Sequence, residues 1–382
     1  IYSYATPHRS LKNGDVLRAG RLRLEVLHTP GHTPEHISFV LLDPDVHGET
    51  PVAIFTGDFL FTGSLGRPDL LGEESKHGLA HELYRSVHQR IAHLPDATVV
   101  YPGHGAGSFC GAGIGAEAQS TLGHERSTQH LFHLDESDFV WELLAGVPPM
   151  PVYYPRMKRL NSAGAVAFDP IAPITALAAS QVLASGEQTI LLDLRSVPEF
   201  SHAHILGATN IGAGANLPLW AGWLLLPNRP VVLIDATGDV TAVQEARRAL
   251  ARVGLDRIVG MLAGGMQQWI AQGQRTHSLP LLSPAEVAEA GNQPASPLLV
   301  DVRTSDEWQA GHIPGALNLP LGELPRRIGE LPTDREVVTI CGGGYRASAA
   351  ASLIARHGIR ASVLRGGMEA WERQNLAITT AN

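Results

Sequence analysis

An internal repeat constrains the fold of this chain more than any other sequence feature. The segment 191–211 resembles 299–319, and the identical residues keep one constant offset. The matched pairs are Asp193 and Asp301, Arg195 and Arg303, Glu199 and Glu307, His204 and His312, Gly207 and Gly315, and Asn210 and Asn318. Two further matches follow in the same order, 231–240 with 337–346 and 264–269 with 366–371. The last two thirds of the chain are therefore predicted to be two copies of one domain.

Each copy alternates apolar, β-rich runs with helical runs. In the second copy the pattern predicts strands at 297–303, 337–341 and 361–367, and a helix at 347–358. This order indicates a parallel sheet with helices on both faces. The first 125 residues read differently, with short strand candidates at 21–27, 37–43, 52–58 and 98–104. Together with a proline-rich connector, these patterns predict domains at 1–160, 161–277 and 278–382.

Composition narrows the class of protein. A chain of 382 residues is too long for a single domain with one hydrophobic core. Its content of 44% hydrophobic and 17% charged residues excludes a disordered chain. The net charge of −8 argues against nucleic acid or an anionic membrane as the main partner. The sequence contains no run of about 18 apolar residues, the length that a membrane-spanning helix needs. Two cysteines cannot build a disulfide framework, so we expect a reducing, cytoplasmic compartment.

A cysteine followed by a glycine-rich loop ends the apolar run 337–340. The loop residues are Cys341, Gly342, Gly343, Gly344, Tyr345 and Arg346, and a predicted helix follows. The glycines let the backbone curl so that successive N–H groups point at one centre. The helix N-terminus adds partial positive charge and Arg346 a full one. Such a cradle favours a thiolate, which can hold a second sulfur as a persulfide or attack phosphorus.

These residues resemble the rhodanese family of sulfurtransferases. The resemblance is carried by Asp301, Arg303, the segment 311–318, the loop 341–346 and the segment 365–371. It implies that Cys341 carries the persulfide and that Arg346 closes the loop. The loop is one residue shorter than in the related dual-specificity phosphatases, which favours sulfur over phosphate. In the first copy Asp235 replaces the cysteine and Val240 the arginine, so that copy is predicted to be inactive.

Three strand candidates in the front region end alike. The sequences are TPGH at 29–32, FTGD at 55–58 and YPGH at 101–104, each with a glycine directly before a metal-capable side chain. His32, Asp58 and His104 are therefore expected to converge at one edge of a sheet sandwich. Imidazole and carboxylate ligands suit zinc or iron.

The front motifs resemble the metallo-β-lactamase fold family. The segments 29–36, 55–70 and 101–107 carry this resemblance, which implies a partial αββα sandwich. The family also needs a His-x-His-x-Asp-His segment earlier in the chain, and the lone His8 does not match it. We therefore expect the sequence to be a C-terminal fragment of a longer protein.

The segment GRPDL at 66–70 resembles the persulfide dioxygenase branch more than the glyoxalase II branch. With two rhodanese copies, the chain resembles bacterial persulfide dioxygenase–rhodanese fusions. The resemblance implies Fe(II) held by a facial triad, with His32 and Asp58 as two ligands and the third upstream. It places His104 near the metal, and Arg67 and Tyr101 against a glutathione-type substrate.

The implied function is oxidation of a low-molecular-weight thiol persulfide by O₂ to sulfite, coupled to persulfide and thiosulfate sulfur transfer through Cys341. Two alternatives stay open. One is a zinc thioester hydrolase of the glyoxalase II type with a rhodanese tail, in which His104 is a ligand, and the other is a non-enzymatic front domain. Cys110 is a candidate persulfide relay or a small buried residue. A homo-oligomer is also left open.

Overall fold

The computed structural model describes residues 5–108, 110–147, 149–164, 167–169, 171–291 and 296–380. The chain forms two compact units, residues 1–165 and residues 166–382. Within the described ranges, no helix combines the length and apolar composition that crossing a lipid bilayer requires.

A six-stranded mixed sheet forms the centre of the first unit. Its strands are β1 (Val16–Ala19), β2 (Leu22–His28), β3 (Ile37–Leu42), β4 (Pro51–Gly57), β7 (Val99–Pro102) and β8 (Ser120–Thr121), and a hairpin of β5 (Leu60–Phe61) and β6 (Ser64–Leu65) lies outside it. The order is β1-β2-β3-β4-β7-β8, in which only β4 and β7 run parallel. The four short strand candidates of the sequence are confirmed as β2, β3, β4 and β7.

The first unit also contains five α-helices, of which α2, α3 and α4 contribute buried side chains to its core. They are α1 (Pro44–His47), α2 (Glu73–Arg85), α3 (Leu122–Thr128), α4 (Glu136–Ala145) and α5 (Tyr154–Ala163), with a π-helical turn at Ser86–Arg90 and a 3-10 turn at His130–His133. Ile54 and Val100 of the sheet are fully buried in one cluster with Leu83 of α2 and Phe139 of α4. Burial of each of these side chains contributes about 1.5–3 kcal/mol to the stability of the fold. This packing holds the ends of β4 and β7 in place.

Two parallel five-stranded sheets with the same topology form the second unit. The middle copy contains β9 (Ala176–Leu177), β10 (Ile190–Asp193), β11 (Thr209–Asn210), β12 (Val231–Ile234) and β13 (Ile258–Leu262). The C-terminal copy contains β14 (Leu281–Leu282), β15 (Leu298–Asp301), β16 (Leu317–Asn318), β17 (Val337–Ile340) and β18 (Ala361–Leu364). The strand orders are β11-β10-β12-β13-β9 and β16-β15-β17-β18-β14, so the strands of the two copies correspond one to one.

Helices connect the parallel strands in both copies. In the middle copy they are α6 (Ala179–Leu183), α7 (Val197–His202), α8 (Leu217–Leu224), α9 (Val240–Ala251) and α10 (Gly265–Ala271). In the C-terminal copy they are α11 (Pro284–Gly291), α12 (Ser305–Ala310), α13 (Leu324–Arg327), α14 (Tyr345–Arg356) and α15 (Gly367–Arg373), with a 3-10 turn at Ile328–Glu330. The prediction of two doubly wound parallel-sheet domains after a partial sandwich is confirmed.

The most similar residues of the repeat are structural. Asp301 is fully buried at the end of β15 and pairs with Arg303 at 2.7 Å, as Asp193 pairs with Arg195 at 2.6 Å. The Asn318 amide then donates to the backbone carbonyls of both Asp301 and Arg303. A buried carboxylate needs such a partner, so these residues define the fold rather than the chemistry.

Candidate functional site

Three loops at one edge of the first sheet bring metal-capable side chains together. His32 follows β2, Asp58 follows β4 and His104 follows β7. His32 Nε2 lies 3.4 Å from Asp58 Oδ2, and His104 Nε2 lies 3.2 Å from Asp58 Oδ1. The sequence expectation that these three residues converge is therefore met in the geometry, while their roles as ligands stay predictions.

The His32 ring is oriented from behind. Its Nδ1 donates a hydrogen bond to the Arg67 carbonyl at 2.9 Å, which leaves the Nε2 lone pair facing the Asp58 carboxylate. Burial lowers the pKa of His32 from its ordinary value, and this effect exceeds the opposing influence of the Asp58 charge. A neutral imidazole with its second nitrogen held by a carbonyl is the usual arrangement of a metal-binding histidine.

His36 is a residue that the sequence reasoning missed. Its Nε2 accepts the backbone N–H of Asp58 at 3.1 Å, and its Nδ1 donates to Thr29 Oγ1 at 3.0 Å. Burial lowers the pKa of His36 to about 4, so the ring is neutral and holds Asp58 as an acceptor. Both ring nitrogens are used inside the protein, and His36 therefore supports the edge instead of offering a ligand. The signal was its spacing of four residues from His32 in TPGHTPEH.

The glycine before each candidate ligand is required by close packing. A Cβ at Gly31, Gly57 or Gly103 would lie within 3 Å of another residue. At Gly103 the neighbour is the carboxylate itself, since a Cβ there would lie 2.8 Å from Asp58 Oδ1. The glycine of each repeated motif thus lets the backbone approach the site closely, and this close packing fixes the position of the Asp58 carboxylate.

Cys110 joins this edge from the loop after His104. One donor atom each of His32, Asp58 and Cys110 lies within 4.8 Å of the others, and the Cys110 carbonyl accepts the backbone N–H of Arg67 at 2.9 Å. Burial raises the pKa of the Cys110 thiol. Imidazole, carboxylate and thiol donors at this spacing fit a divalent transition metal, since both zinc and iron accept this set of ligands.

The two residues expected to face substrate differ in exposure. Arg67 is only 1% exposed, and its guanidinium contacts both carboxylate oxygens of Asp69 at 2.6 and 2.7 Å. Tyr101 is 38% exposed and stacks on Phe55 with ring centroids 5.4 Å apart. Tyr101 is thus open to a ligand and Arg67 is held beneath the surface, so the substrate role of Arg67 stays a prediction.

In the C-terminal copy, Cys341 lies directly after β17 and is 1% exposed. Its Sγ accepts the backbone N–H groups of Gly344 at 3.1 Å and of Ala347 at 3.4 Å. The start of α15 packs behind the loop, where Met368 N–H donates to the Cys341 carbonyl at 2.8 Å. A Cβ at Gly367 would lie 2.1 Å from that carbonyl oxygen, which explains the second glycine of RGGMEAW. The cradle expected around the sulfur is present.

Arg346 is held by a partner that the sequence reasoning did not assign. Its two terminal nitrogens each lie 2.7 Å from an oxygen of Glu307, in a bidentate pair. Partial burial by itself raises the pKa of Glu307, but hydrogen bonds from Arg346 and the Thr304 backbone outweigh it and lower the pKa to about 2. Glu307 also caps α12 together with Thr304. The pair therefore ties the end of the loop to a helix of its own copy.

The corresponding loop of the middle copy is filled by its own side chain. The Asp235 carboxylate accepts backbone N–H groups from Thr237, Gly238 and Asp239 at 3.3, 2.9 and 2.8 Å. Behind it, Met266 N–H donates to the Asp235 carbonyl at 2.9 Å, as in the C-terminal copy. The same loop architecture thus surrounds a carboxylate in one copy and a thiol in the other.

Comparison with known proteins supports both halves of this description. A model of the metallo-beta-lactamase superfamily matches residues 3–104. A model of the rhodanese-like domain matches twice, at residues 176–272 and 283–374.

Two curated relatives match the front region. Persulfide dioxygenase ETHE1 of Homo sapiens is 35% identical over 130 residues, which is 34% of this chain and 43% of that protein. The probable metallo-hydrolase YqgX of Bacillus subtilis is 38% identical over 102 residues, which is 26% of this chain and 43% of that protein. The chain therefore spans less than half the length of these relatives.

A solved structure matches over a larger part of the chain. The crystal structure of a metallo-beta-lactamase from Staphylococcus aureus is 34% identical, with a TM-score of 0.60, and the match covers 69% of this chain and 74% of that one. With the two family models and the two site geometries, this likeness leads to one conclusion. The chain belongs to the metallo-beta-lactamase superfamily, and its metallo-beta-lactamase domain is followed by two rhodanese-like domains.

Proposed function

We propose that this protein oxidises a low-molecular-weight thiol persulfide with O₂ at an iron site of the first unit and transfers sulfane sulfur through Cys341. The observation that carries the proposal is the presence of both geometries in one chain. His32, Asp58 and His104 form a donor edge, and Cys341 lies in a cradle of N–H groups. The compartment, expected to be the cytoplasm, is part of the same proposal.

The residues of the first unit would hold and orient the metal. His32 offers Nε2 because its Nδ1 is committed to the Arg67 carbonyl, and Asp58 offers a carboxylate that His36 holds through the backbone. Fe(II) bound there would supply the redox chemistry by which one persulfide, one O₂ and one water give one thiol, one sulfite and two protons. The exposed Tyr101 beside the site is proposed to contact the thiol carrier.

The sulfur-transfer step uses the Cys341 loop. The thiolate attacks the outer sulfur of a persulfide or thiosulfate, a new S–S bond forms, and the old S–S bond breaks with its electron pair leaving on the thiol or sulfite. The resulting Cys341 persulfide passes its outer sulfur to sulfite or to a thiol, which returns the thiolate. The loop N–H groups stabilise the negative charge at each stage.

The test is O₂ uptake by the full native protein loaded with Fe(II), with glutathione persulfide as substrate. We expect uptake with formation of sulfite, and thiosulfate where sulfane sulfur is in excess. Asp58→Ala is expected to abolish uptake because the carboxylate is lost from the edge. Persulfide-dependent uptake that survives in Asp58→Ala would contradict the proposed iron site.

A second candidate is a zinc-dependent thioester hydrolase. Asp58 is flanked on its two oxygens by His32 and His104, and such a carboxylate can lie between two metal ions. Metal analysis separates the candidates. About two zinc ions per chain with hydrolysis of S-lactoylglutathione, and no O₂ uptake, would favour the hydrolase and leave the Cys341 proposal unchanged.

A further inference from the structure

The loop of Cys341 also contacts the middle copy. Tyr345, between Gly344 and Arg346, donates its hydroxyl to the Gly212 carbonyl of the middle copy at 2.8 Å. The ring packs closely against that residue, since a Cβ at Gly212 would be 3.2 Å from Tyr345 Cε2. Tyr345 thus anchors the loop to the neighbouring copy.

A second contact holds the helix that begins at Tyr345. Ser348 Oγ and Asn210 Oδ1 are 2.6 Å apart, and Ser352 Oγ accepts the backbone N–H of Asn210 at 3.0 Å. Asn210 and both serines are at most 3% exposed, so these hydrogen bonds are shielded from water. The first two turns of α14 are therefore bonded to the edge strand β11 of the middle copy.

Asn210 has a counterpart that shows what is special about this contact. In both copies the asparagine amide donates to the backbone carbonyls of the repeated Asp and Arg pair. The remaining oxygen of Asn318 accepts an exposed hydrogen bond from Ser305 of its own copy at 3.3 Å. The remaining oxygen of Asn210 instead meets the buried Ser348 of the catalytic helix. Among the described residues, the repeated asparagine therefore bonds across the copies only at Asn210.

We propose that the middle copy positions the sulfur-transfer loop, with Tyr345 and Ser348 as positioning residues. Gly344 and Ala347, whose N–H groups face the Cys341 sulfur, flank Tyr345 on either side. Glu307 fixes this segment from the C-terminal copy, and Gly212 with Asn210 fix it from the middle copy. The middle copy would thus support catalysis indirectly, because its contacts fix the positions of the N–H groups that face the Cys341 sulfur. The inference rests on the proposed sulfur transfer at Cys341.

The test compares Tyr345→Phe with the unchanged chain. The variant keeps the ring and loses only the hydroxyl, so the loop remains folded but less strictly placed. We expect kcat for sulfur transfer from thiosulfate to fall about tenfold, with KM for thiosulfate nearly unchanged because the lost hydroxyl bonds the Gly212 carbonyl and not the Cys341 sulfur. The lifetime of the Cys341 persulfide, followed by the 32 Da adduct in mass spectra, is expected to shorten by a similar factor.

Ser348→Ala is the second variant, since alanine preserves the helix. Its matched control is Ser305→Ala, which removes the equivalent hydroxyl contact to Asn318 but no contact between copies. We expect Ser348→Ala to shorten the persulfide lifetime and Ser305→Ala to leave it unchanged. A contribution to folding alone would lower the melting temperature without changing that lifetime in the cold.

Two results would overturn the inference. One is a wild-type kcat and persulfide lifetime in both Tyr345→Phe and Ser348→Ala. The other is an equal effect of Ser348→Ala and Ser305→Ala. Failure of the underlying sulfur transfer is distinguishable, because the unchanged chain would then gain no 32 Da adduct that Cys341→Ala abolishes.

Discussion

At the scale of single residues, positions 235 and 341 show how one loop serves two purposes. In both copies the residue ends a buried strand and faces the N–H groups of the following turn. The Asp235 carboxylate accepts N–H groups of Thr237, Gly238 and Asp239, whereas the Cys341 sulfur accepts those of Gly344 and Ala347. Corresponding loops of the two copies thus present a carboxylate in one case and a thiol in the other.

Exchange of these two residues for alanine is expected to have opposite consequences. Cys341→Ala abolishes thiosulfate-dependent sulfur transfer with little change in stability. Asp235→Ala retains the transfer but leaves buried N–H groups without an acceptor, which lowers the free energy of unfolding by about 1–3 kcal/mol. Turnover assays and urea unfolding of both variants check this, and full activity in Cys341→Ala would disprove the assignment of the cysteine.

The Glu307–Arg346 pair predicts a pH dependence of stability. Because the pKa of Glu307 is lowered to about 2 from an ordinary value of 4.5, its contribution is present above about pH 4.5 and is lost as the pH falls toward 2. Glu307→Gln is expected to flatten this part of the stability curve. Urea midpoints at pH 5, 4 and 3 measure it.

Glu199→Gln is the control for that experiment. Glu199 occupies the equivalent position and also caps its helix, but Val240 stands where the arginine would be. We expect it to change the acid limb less than Glu307→Gln does. Equal effects of the two variants would mean that the arginine contributes nothing to the pH dependence.

At the scale of elements, the first sheet places its chemistry at the ends of strands, and close backbone packing fixes it there. Gly103→Ala is expected to push against the Asp58 carboxylate and weaken metal binding about 10–100-fold. Gly105→Ala is the matched control, since a Cβ there has no atom of another residue within 4 Å among the described residues. Titration with Co(II), followed by absorbance, compares them, and equal affinities would refute the role of the close approach.

The parts that the sequence could predict are those written in local patterns. Alternating and apolar runs predicted β2, β4, β7 and β17, and the Gly-ligand endings predicted the convergence of His32 and Asp58. Strand periodicity and turn chemistry depend on neighbouring residues, so one chain without relatives carries these signals.

The missed contacts depend on residues that are distant in the chain. Nothing in the local sequence around Tyr345 indicates that its hydroxyl meets Gly212, and the pairing of Arg346 with Glu307 joins a loop to a different helix. The capping function of Glu307 was visible in its spacing from Thr304, but its second function was not. Such contacts follow from sheet order, which the repeat suggests only in outline.

At the scale of the whole molecule, the two proposed reactions belong to separate compact units. The metal-capable residues lie in residues 1–165 and Cys341 in residues 166–382. We therefore expect a chelator to abolish O₂ uptake while thiosulfate-dependent sulfur transfer continues at its normal rate. Both assays on one EDTA-treated sample test this, and parallel loss of the two activities would show that they share the metal.

The self-filled loop of the middle copy has a consequence for the loaded state of the active one. An aspartate side chain extends two atoms beyond Cβ and ends in an anion, and a cysteine persulfide does the same with two sulfurs. Asp235 is therefore an internal likeness of a sulfur-charged cysteine, held by N–H groups two, three and four residues further on. By this likeness, we expect the outer sulfur on Cys341 to accept the backbone N–H groups of Gly343, Gly344 and Tyr345. The Asp235 loop would then resemble the Cys341 loop in its persulfide state.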